Sequence, residues 1–552
     1  MVGPMTASAV LPLRSRRRWR LIGSLLVGLL ISAQLPAPLR AAELLEIQLD
    51  ALQLPVDLRE LEAWSRDPQQ HQGDLGAWLD LLEPWQRQAL LRLLRAPLLR
   101  DRSMGRQLLD SWAGQRLLAS LGGLLSTEQG NAGPILHRVL RRLLQDHNQV
   151  TALELLRALP GERLTIHLDA LLQLASQWQR QLLQQRRALQ ALQALPLPSR
   201  TPLLPLTDGV VLARSQGREL GSGGPAPQSL RLAVAHRSLP LELRLWQSRT
   251  ARPGAPWLLL SHGLGGSSAQ LEWLAASLRE RGWSVLLLEH PGSDEAAMRA
   301  WLEGQRLPPA AETLPDRVRD LQAVVAAVEA GHLPRLGSSV VLVGHSLGGL
   351  TSLLAAGLRP EPGLARRCDR ALAGLPLTNL SRLLQCQLPD VPLPPPQPLA
   401  QPVAAVLSLN GFGSLLWPQR GLQQLPMPVL LLGGSLDLIT PPLSEQLSLF
   451  LPQANPRSRL VLLEGGSHFS PVRIRSDQRA VFQLGEELVG VDPGRMQALI
   501  LSLSSDFLQG IGRPGLGSMP RQRRELAGLT AYVLDRPAAL AWRAAIRDLA
   551  RP

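Results

Sequence analysis

The chain of 552 residues contains no lysine, since all 58 of its basic residues are arginine. A lysine nucleophile or a lysine Schiff base is therefore excluded. Aromatic residues are also scarce, with five Phe and one Tyr, and the arginines are scattered among acidic residues. Nucleic-acid binding usually needs a clustered basic surface. We therefore expect no nucleic-acid partner, although a net charge of +14 is compatible with peripheral association with an anionic membrane.

Cysteine is the next scarce residue, with two in the whole chain, Cys368 and Cys386. They form no C-x-x-C motif and have no histidine nearby in sequence, which argues against a metal site. If the chain is exported to an oxidising compartment, a disulfide between them is the simplest interpretation. Two buried free thiols are the alternative.

The N-terminus has the pattern of a targeting segment. Arginines over residues 14–20 precede an apolar core of 13 residues, Leu21–Ala33. This core is shorter than the roughly 20 apolar residues that span a bilayer. We predict a signal peptide over residues 1–42, cleaved after Ala33 or Ala42, and hence an exported protein. A twin-arginine signal and an uncleaved anchor are the alternatives.

The most informative motif, residues 344–348, reads G-H-S-L-G. It directly follows the apolar run 340–343 and precedes a helical stretch, 350–358. A serine between a buried strand and a helix lies on a sharp turn that exposes its hydroxyl. A Cβ at either glycine would collide with the neighbouring strand or helix. The motif also arises by chance in chains rich in Gly and Ser, but the strand–turn–helix context favours Ser346 as a nucleophile.

An activated serine needs a general base and a residue that orients the base. In this strand–turn–helix architecture, an acid and then a histidine follow the serine. His468 is the one histidine after Ser346. Of the acids between them, Asp437 lies in the turn just past the strand-like run 428–432. We assign His468 as the base and Asp437 as the orienting acid, with Glu464 as a weaker alternative because it is close to His468 in sequence.

A glycine-rich loop over residues 262–267 reads H-G-L-G-G-S and follows the apolar run 257–261. Backbone N–H groups of such loops stabilise the oxyanion of tetrahedral intermediates. The expected donors are the amides of Leu264 and of Leu347, which follows the nucleophile. A phosphate cradle is the alternative, but the loop lacks both the G-x-G-x-x-G spacing and a following Lys-Ser/Thr.

These motifs, with the H-P-G turn at 290–292, resemble the α/β-hydrolase superfamily over residues 229–490. The chain is similar to dienelactone-hydrolase-like and platelet-activating-factor-acetylhydrolase-like esterases. It resembles most a bacterial, chiefly cyanobacterial, family of predicted hydrolases with a signal sequence and an N-terminal helical domain of unknown function. The resemblance implies an α/β fold with a mostly parallel sheet flanked by helices, a Ser346–Asp437–His468 triad, and no cofactor or metal.

The same resemblance does not identify the substrate. Dienelactone hydrolases use a cysteine nucleophile, whereas this chain has Ser346. In the acetylhydrolases the acid follows an earlier strand, which here ends at Asn410. Asp437 therefore takes the more common position of the orienting acid in the superfamily.

Sequence pattern and composition divide the chain into predicted domains. Apolar residues at helical spacing predict an all-helical N-terminal domain, and a Pro-rich insertion after the nucleophile helix predicts a stiff lid that selects the substrate. The predicted parts are an N-terminal helical domain (43–195), a linker (196–228), a hydrolase domain (229–490) with its lid-like insertion (359–402), and a helical C-terminal extension (491–552).

The sequence thus predicts a secreted or lumenal serine hydrolase acting on carboxylic esters, which include lipids. An acyltransferase that uses the same triad is a second hypothesis. A third hypothesis is a protein that binds a partner through its helical domain.

Overall fold

The computed structural model describes residues 42–69, 74–80, 82–99, 101–128, 130–200, 226–251, 254–373, 379–395, 397–474, 492–512, 515 and 517–549. The predicted leader up to residue 41 and residues 201–225 of the predicted linker lie outside the described residues. Within the described ranges, no helix combines the length and the apolar character needed to cross a membrane.

The N-terminal domain consists of helices packed around two small sheets. Its elements are β1 (Leu44–Leu49), β2 (Leu52–Asp57), α1 (Leu58–Arg66), α2 (Asp74–Asp80), α3 (Pro84–Arg95), β3 (Pro97–Leu99), α4 (Arg102–Asp110), α5 (Trp112–Gly122), β4 (Leu125–Thr127), β5 (Gly130–Asn131), α6 (Gly133–Asp146), β6 (Val150–Thr151), α7 (Ala152–Ala158), β7 (Arg163–His167) and α8 (Leu168–Gln193).

The prediction that this domain is all-helical is wrong. Five strands form a sheet in the order β2-β1-β7-β4-β5, and β3 pairs with β6. The strands are two to six residues long. Helical periodicity is judged over a longer stretch of sequence, so the pattern of the neighbouring helices hides these short strands. Leu52, Leu54 and Val56 do alternate at the period of a strand, but Pro55 weakens that signal.

The hydrolase domain and the C-terminal region share one sheet. The elements are β8 (Gln228–Leu232), β9 (Leu241–Trp246), β10 (Trp257–Ser261), α9 (Glu272–Glu280), β11 (Val285–Leu288), α10 (Glu295–Leu302), α11 (Leu314–Glu329), β12 (Val340–His345), α12 (Leu347–Ala355), α13 (Leu364–Ala371), α14 (Ser381–Gln385), β13 (Val403–Leu409), β14 (Val429–Gly434), α15 (Gln446–Phe450), β15 (Arg459–Leu463), α16 (Pro493–Gly512), β16 (Gln522–Leu526), β17 (Leu529–Leu534) and α17 (Arg536–Leu549).

This sheet has ten strands in the order β16-β17-β15-β14-β13-β12-β10-β11-β9-β8. The six from β15 to β11 run parallel, and each edge carries an antiparallel hairpin. The predicted helical C-terminal extension does contain two helices, α16 and α17, but it also contributes the strands β16 and β17 to the sheet. The predicted entry hairpin corresponds to β8 and β9.

Helices cover both faces of the sheet. One face packs against α11, α12, α15 and α17, and the other against α9 and α16. Because both faces are covered, the central strands read as continuous apolar runs: every residue of β10, β12 and β14 is buried. The loops at the carboxyl ends of parallel strands lie together at one edge, where α/β sheets bind their ligands.

Candidate active site

Ser346 lies on the sharp turn between β12 and α12. Its backbone has φ +53° and ψ −118°, a region that costs a non-glycine residue energy and is typical of nucleophile turns. A Cβ on Gly344 would lie 2.1 Å from the backbone of Gly348, and one on Gly348 would lie 2.4 Å from the carbonyl oxygen of Ser261. The collisions expected from the sequence are therefore present.

His468 and Asp437 lie in direct contact, on the loops that follow β15 and β14. His468 Nδ1 is 2.9 Å from Asp437 Oδ2. The pair is shielded from water, since His468 is 6% and Asp437 0% exposed. A proton on Nδ1 donates to the carboxylate and leaves Nε2 free to accept a proton, as a general base requires.

Two side chains that the sequence did not single out hold Asp437 in place. Asn410 Nδ2 donates to Asp437 Oδ2 at 2.6 Å, and Thr440 Oγ1 lies 2.6 Å from the same oxygen. The amides of Ile439 and Thr440 donate to Oδ1 at 2.9 and 2.8 Å. Burial alone would raise the pKa of Asp437. The adjacent His468 and the hydrogen bonds outweigh burial and lower this pKa below its usual value, so Asp437 is ionised.

His345 ties the nucleophile turn to the His468 loop. Its Nε2 donates to the carbonyl oxygen of His468 at 2.8 Å. Burial, reinforced by His468, lowers the pKa of His345 to about 3, so its ring is neutral. Among the described residues, Ser346 Oγ makes no direct hydrogen bond to His468. Such bonds are often long before substrate binds.

The glycine-rich loop after β10 lies against the nucleophile turn. A Cβ on Gly263 would come within 2.9 Å of His345 Nδ1 and 3.3 Å of the Ser346 Cβ. The Gly265 amide is already engaged, because it donates to Ser293 O at 2.8 Å. Leu347 is the first residue of α12, so its amide lacks an intrahelical acceptor. The amides of Leu264 and Leu347 thus lie on segments that adjoin Ser346.

A buried polar network supports this loop from behind. Arg317 on α11 donates to the carbonyl oxygen of His262, to Ser293 Oγ at 2.7 Å, and to Thr351 Oγ1 on α12 at 3.2 Å. His262 Nε2 in turn accepts the amide of His290 at 3.0 Å. One guanidinium therefore connects the glycine-rich loop to the nucleophile helix.

The network continues to Asp320. His290 Nδ1 donates to Asp320 Oδ2 at 2.8 Å, and Arg237 binds both carboxylate oxygens. Burial lowers the pKa of His290 to about 4, with Arg317 contributing. Burial is also the main cause that lowers the pKa of His262. Both histidines are therefore neutral, and His262 can donate from Nδ1 while accepting at Nε2.

Glu464, the alternative acid, is directed elsewhere. Its carboxylate accepts from Gln193 Nε2 at 3.0 Å and from Tyr532 Oη at 2.8 Å. These partners belong to α8 and β17, away from the His468 imidazole. Asp437 is therefore the acid that the fold brings to His468.

The Pro-rich insertion is attached to the loop that carries Asp437. The amide of Ser381 donates to Ile439 O at 3.0 Å. The buried carboxylate of Glu445 accepts from Asn379 Nδ2 at 2.6 Å. Within the insertion, Cys368 and Cys386 form a disulfide. The insertion therefore lies on the side of the sheet that holds the candidate site, and its role as a lid stays a prediction.

Across the described part of the chain, no cluster of three or more His, Cys, Asp and Glu is placed to hold a metal ion. The arrangement instead combines a serine on a strained turn, a histidine–carboxylate pair on neighbouring loops, and a glycine-rich loop that adjoins the serine. Such a set can perform nucleophilic acyl transfer.

Comparisons with known proteins agree with this fold. A family model described as "Alpha/beta hydrolase family" matches residues 258–484. A second model, described as "Alpha/beta hydrolase of unknown function (DUF1400)", matches residues 41–167. Both matches support an assignment to the α/β-hydrolase superfamily. The second match covers the N-terminal domain, whose small mixed sheet is separate from the hydrolase sheet.

Among solved structures, a dienelactone hydrolase from Anabaena variabilis is similar to part of this chain. It is 18% identical, the match covers 52% of this chain and 100% of that chain, and the TM-score is 0.32. A search of curated proteins gave no match. The likeness to the dienelactone hydrolase sets no substrate for this chain.

Sequence reasoning missed Asn410, Thr440, His345 and Arg317 as parts of the site. Thr440 had a local signal, because a carboxylate commonly caps the amide three residues later. Asn410 ends the strand that the acid follows in the acetylhydrolases, and no acidic residue stands there in this chain. The contacts of His345 and Arg317 are long-range, and no local pattern in the chain marks them.

Proposed function

We propose that the protein is an exported serine hydrolase that cleaves carboxylic esters. Membership of the superfamily supports hydrolysis in general. The observation that favours the finer assignment is the 2.9 Å contact between His468 Nδ1 and Asp437 Oδ2, beside the strained turn at Ser346. The disulfide in the insertion supports export, because disulfides persist in oxidising compartments.

In the proposed mechanism, Ser346 Oγ attacks the ester carbonyl carbon as His468 Nε2 takes the hydroxyl proton. The amides of Leu264 and Leu347 donate to the oxyanion that forms, and Asp437 stabilises the imidazolium. The tetrahedral intermediate collapses and expels the alcohol, which receives the proton from His468. The acyl group remains on Ser346.

In deacylation, water takes the place of Ser346 as the nucleophile, and Ser346 becomes the leaving group. Water attacks the acyl-enzyme carbonyl while His468 takes its proton, and collapse of the second intermediate returns that proton to Ser346 Oγ. The acid leaves and the enzyme is restored. No redox partner or cofactor is needed to balance either half.

The test is hydrolysis of p-nitrophenyl butyrate by the purified protein and by Ser346→Ala and His468→Ala. Each variant should lose at least about 1000-fold in turnover, since nucleophile and base act as a unit. Ser229→Ala is the matched control, because Ser229 is exposed on the edge strand β8 and should retain full activity. Full activity in Ser346→Ala would refute the proposal.

Product analysis separates hydrolysis from transfer. With an added alcohol, a hydrolase should release mainly the free acid. If the new ester predominates at low alcohol concentration, the acceptor is an alcohol and the protein is an acyltransferase with the same nucleophile.

A further inference from the structure

The N-terminal domain contains a cavity of about 710 Å³ that is partly open to solvent. Thirty residues line it, all between Leu45 and Leu171. They are Leu, Ile, Val, Ala, Gly and one Trp, so none of these walls carries an ionisable side chain. The indole of Trp78 is the one side chain among them with a polar atom.

The cavity extends from the domain core to its surface. Leu79 and Leu136 in its walls are 2% and 1% exposed, whereas Leu93 and Leu98 are 61% and 48% exposed. Protein interiors are close-packed, with few voids larger than a water molecule. A space of this size therefore differs from ordinary core packing, and the exposed leucines form an apolar opening to it.

The walls determine which chemistry fits. They offer no partner for a charge and almost none for a hydrogen bond, and an unpaired polar group would be costly to bury there. The volume is that of a pocket for a small organic ligand. We propose that this cavity binds the long acyl chain of a lipid, with the polar head remaining at the opening. Each methylene then adds favourable burial without needing a polar contact.

A series of contacts connects a wall of the cavity to the glycine-rich loop of the candidate active site. Leu108 and Leu109 of α4 line it, and Gln107 on the same helix donates to the carbonyl oxygen of Gly304 at 3.3 Å. Gly304 follows α10, whose Met298 lies 2.6 Å from a Cβ built on Gly265 of the glycine-rich loop. One helix, α10, therefore separates a wall of the cavity from the proposed oxyanion loop. The binding proposal itself does not depend on the chemistry of Ser346.

The test is titration of the full-length protein with cis-parinaric acid, a fatty acid that fluoresces in apolar surroundings. We expect saturable binding of one molecule per chain and displacement by palmitate but not by butyrate. Leu108→Trp and Leu117→Trp place extra bulk in the cavity from half-buried positions. Each should weaken binding at least tenfold. Leu172→Trp is the matched control, since Leu172 is on α8, 53% exposed and outside the cavity walls.

Thermal melting shows whether each variant is folded. If a wall variant unfolds, the unaltered chain is tested with palmitate instead. Native mass spectrometry should then show one adduct per chain, and thermal melting should show a raised melting temperature. Binding from free palmitate or from palmitoyl-phosphatidylcholine vesicles would support the proposal and identify the source. Absence of saturable binding from both, or equal binding by folded wall variants, would overturn it.

Discussion

The N-terminal domain and the hydrolase domain bury their interiors in opposite ways. Around Ser346 the interior contains histidines, guanidinium groups and carboxylates, joined by short hydrogen bonds. The N-terminal interior contains apolar side chains around a large cavity. A hydrogen-bonded interior holds a few atoms in fixed positions, as transition-state stabilisation requires. A charge-free cavity accepts a ligand by size and hydrophobicity alone.

The two domains also differ in how far their structure can be predicted from the sequence. Ser346, Asp437 and His468 each follow a buried strand in a short motif, so their positions could be predicted from local pattern. The ten-stranded sheet follows from apolar runs separated by turns. The short strands of the N-terminal domain were missed, because strands of two to six residues give little periodicity and pair across the domain.

The largest expected effect is on turnover by Asp437→Asn. An amide at this position cannot stabilise the imidazolium and can favour the wrong histidine tautomer, so kcat should fall about 10⁴-fold. Glu464→Gln is the matched control, because Glu464 contacts Gln193 and Tyr532. Both variants should keep acyl-chain binding in the N-terminal domain.

Equal losses in Asp437→Asn and Glu464→Gln would contradict the assignment of the acid. Loss of cis-parinaric acid binding in folded Asp437→Asn would show that the two interiors are not independent.

A smaller effect is expected from Gly263→Ala. The added Cβ would lie 2.9 Å from His345 Nδ1, so the glycine-rich loop or the His345 ring must move, and both adjoin Ser346. Losing one oxyanion donor lowers turnover by about 100- to 1000-fold. Steady-state kinetics of the folded variant should show the loss in kcat rather than in KM.

Gly515→Ala is the control for this substitution, because nothing lies within 4 Å of a Cβ at Gly515. Full activity in Gly263→Ala would show that the loop does not supply an oxyanion donor.

The smallest effect concerns acid stability. Burial lowers the folded-state pKa of His262, of His290 to about 4 and of His345 to about 3. Below the unfolded value of about 6.5, the unfolded chain therefore binds protons that the folded chain excludes. The free energy of unfolding should therefore fall as pH falls below about 6.5.

Scanning calorimetry between pH 7.5 and 5 checks this, using His345→Asn, which should have a smaller pH dependence. His147→Gln, at an exposed position in the N-terminal domain, should leave the dependence unchanged. A melting temperature that is constant over this range would contradict neutral buried histidines.

The central claim is that the fold activates Ser346 as a nucleophile. The most direct measurement is labelling of the folded protein by a fluorophosphonate probe, with the labelled peptide located by mass spectrometry. We predict one probe per chain on Ser346, no labelling of Ser346→Ala, and much slower labelling of Asp437→Asn. No labelling of the folded protein, or equal labelling of Ser346→Ala, would contradict the claim.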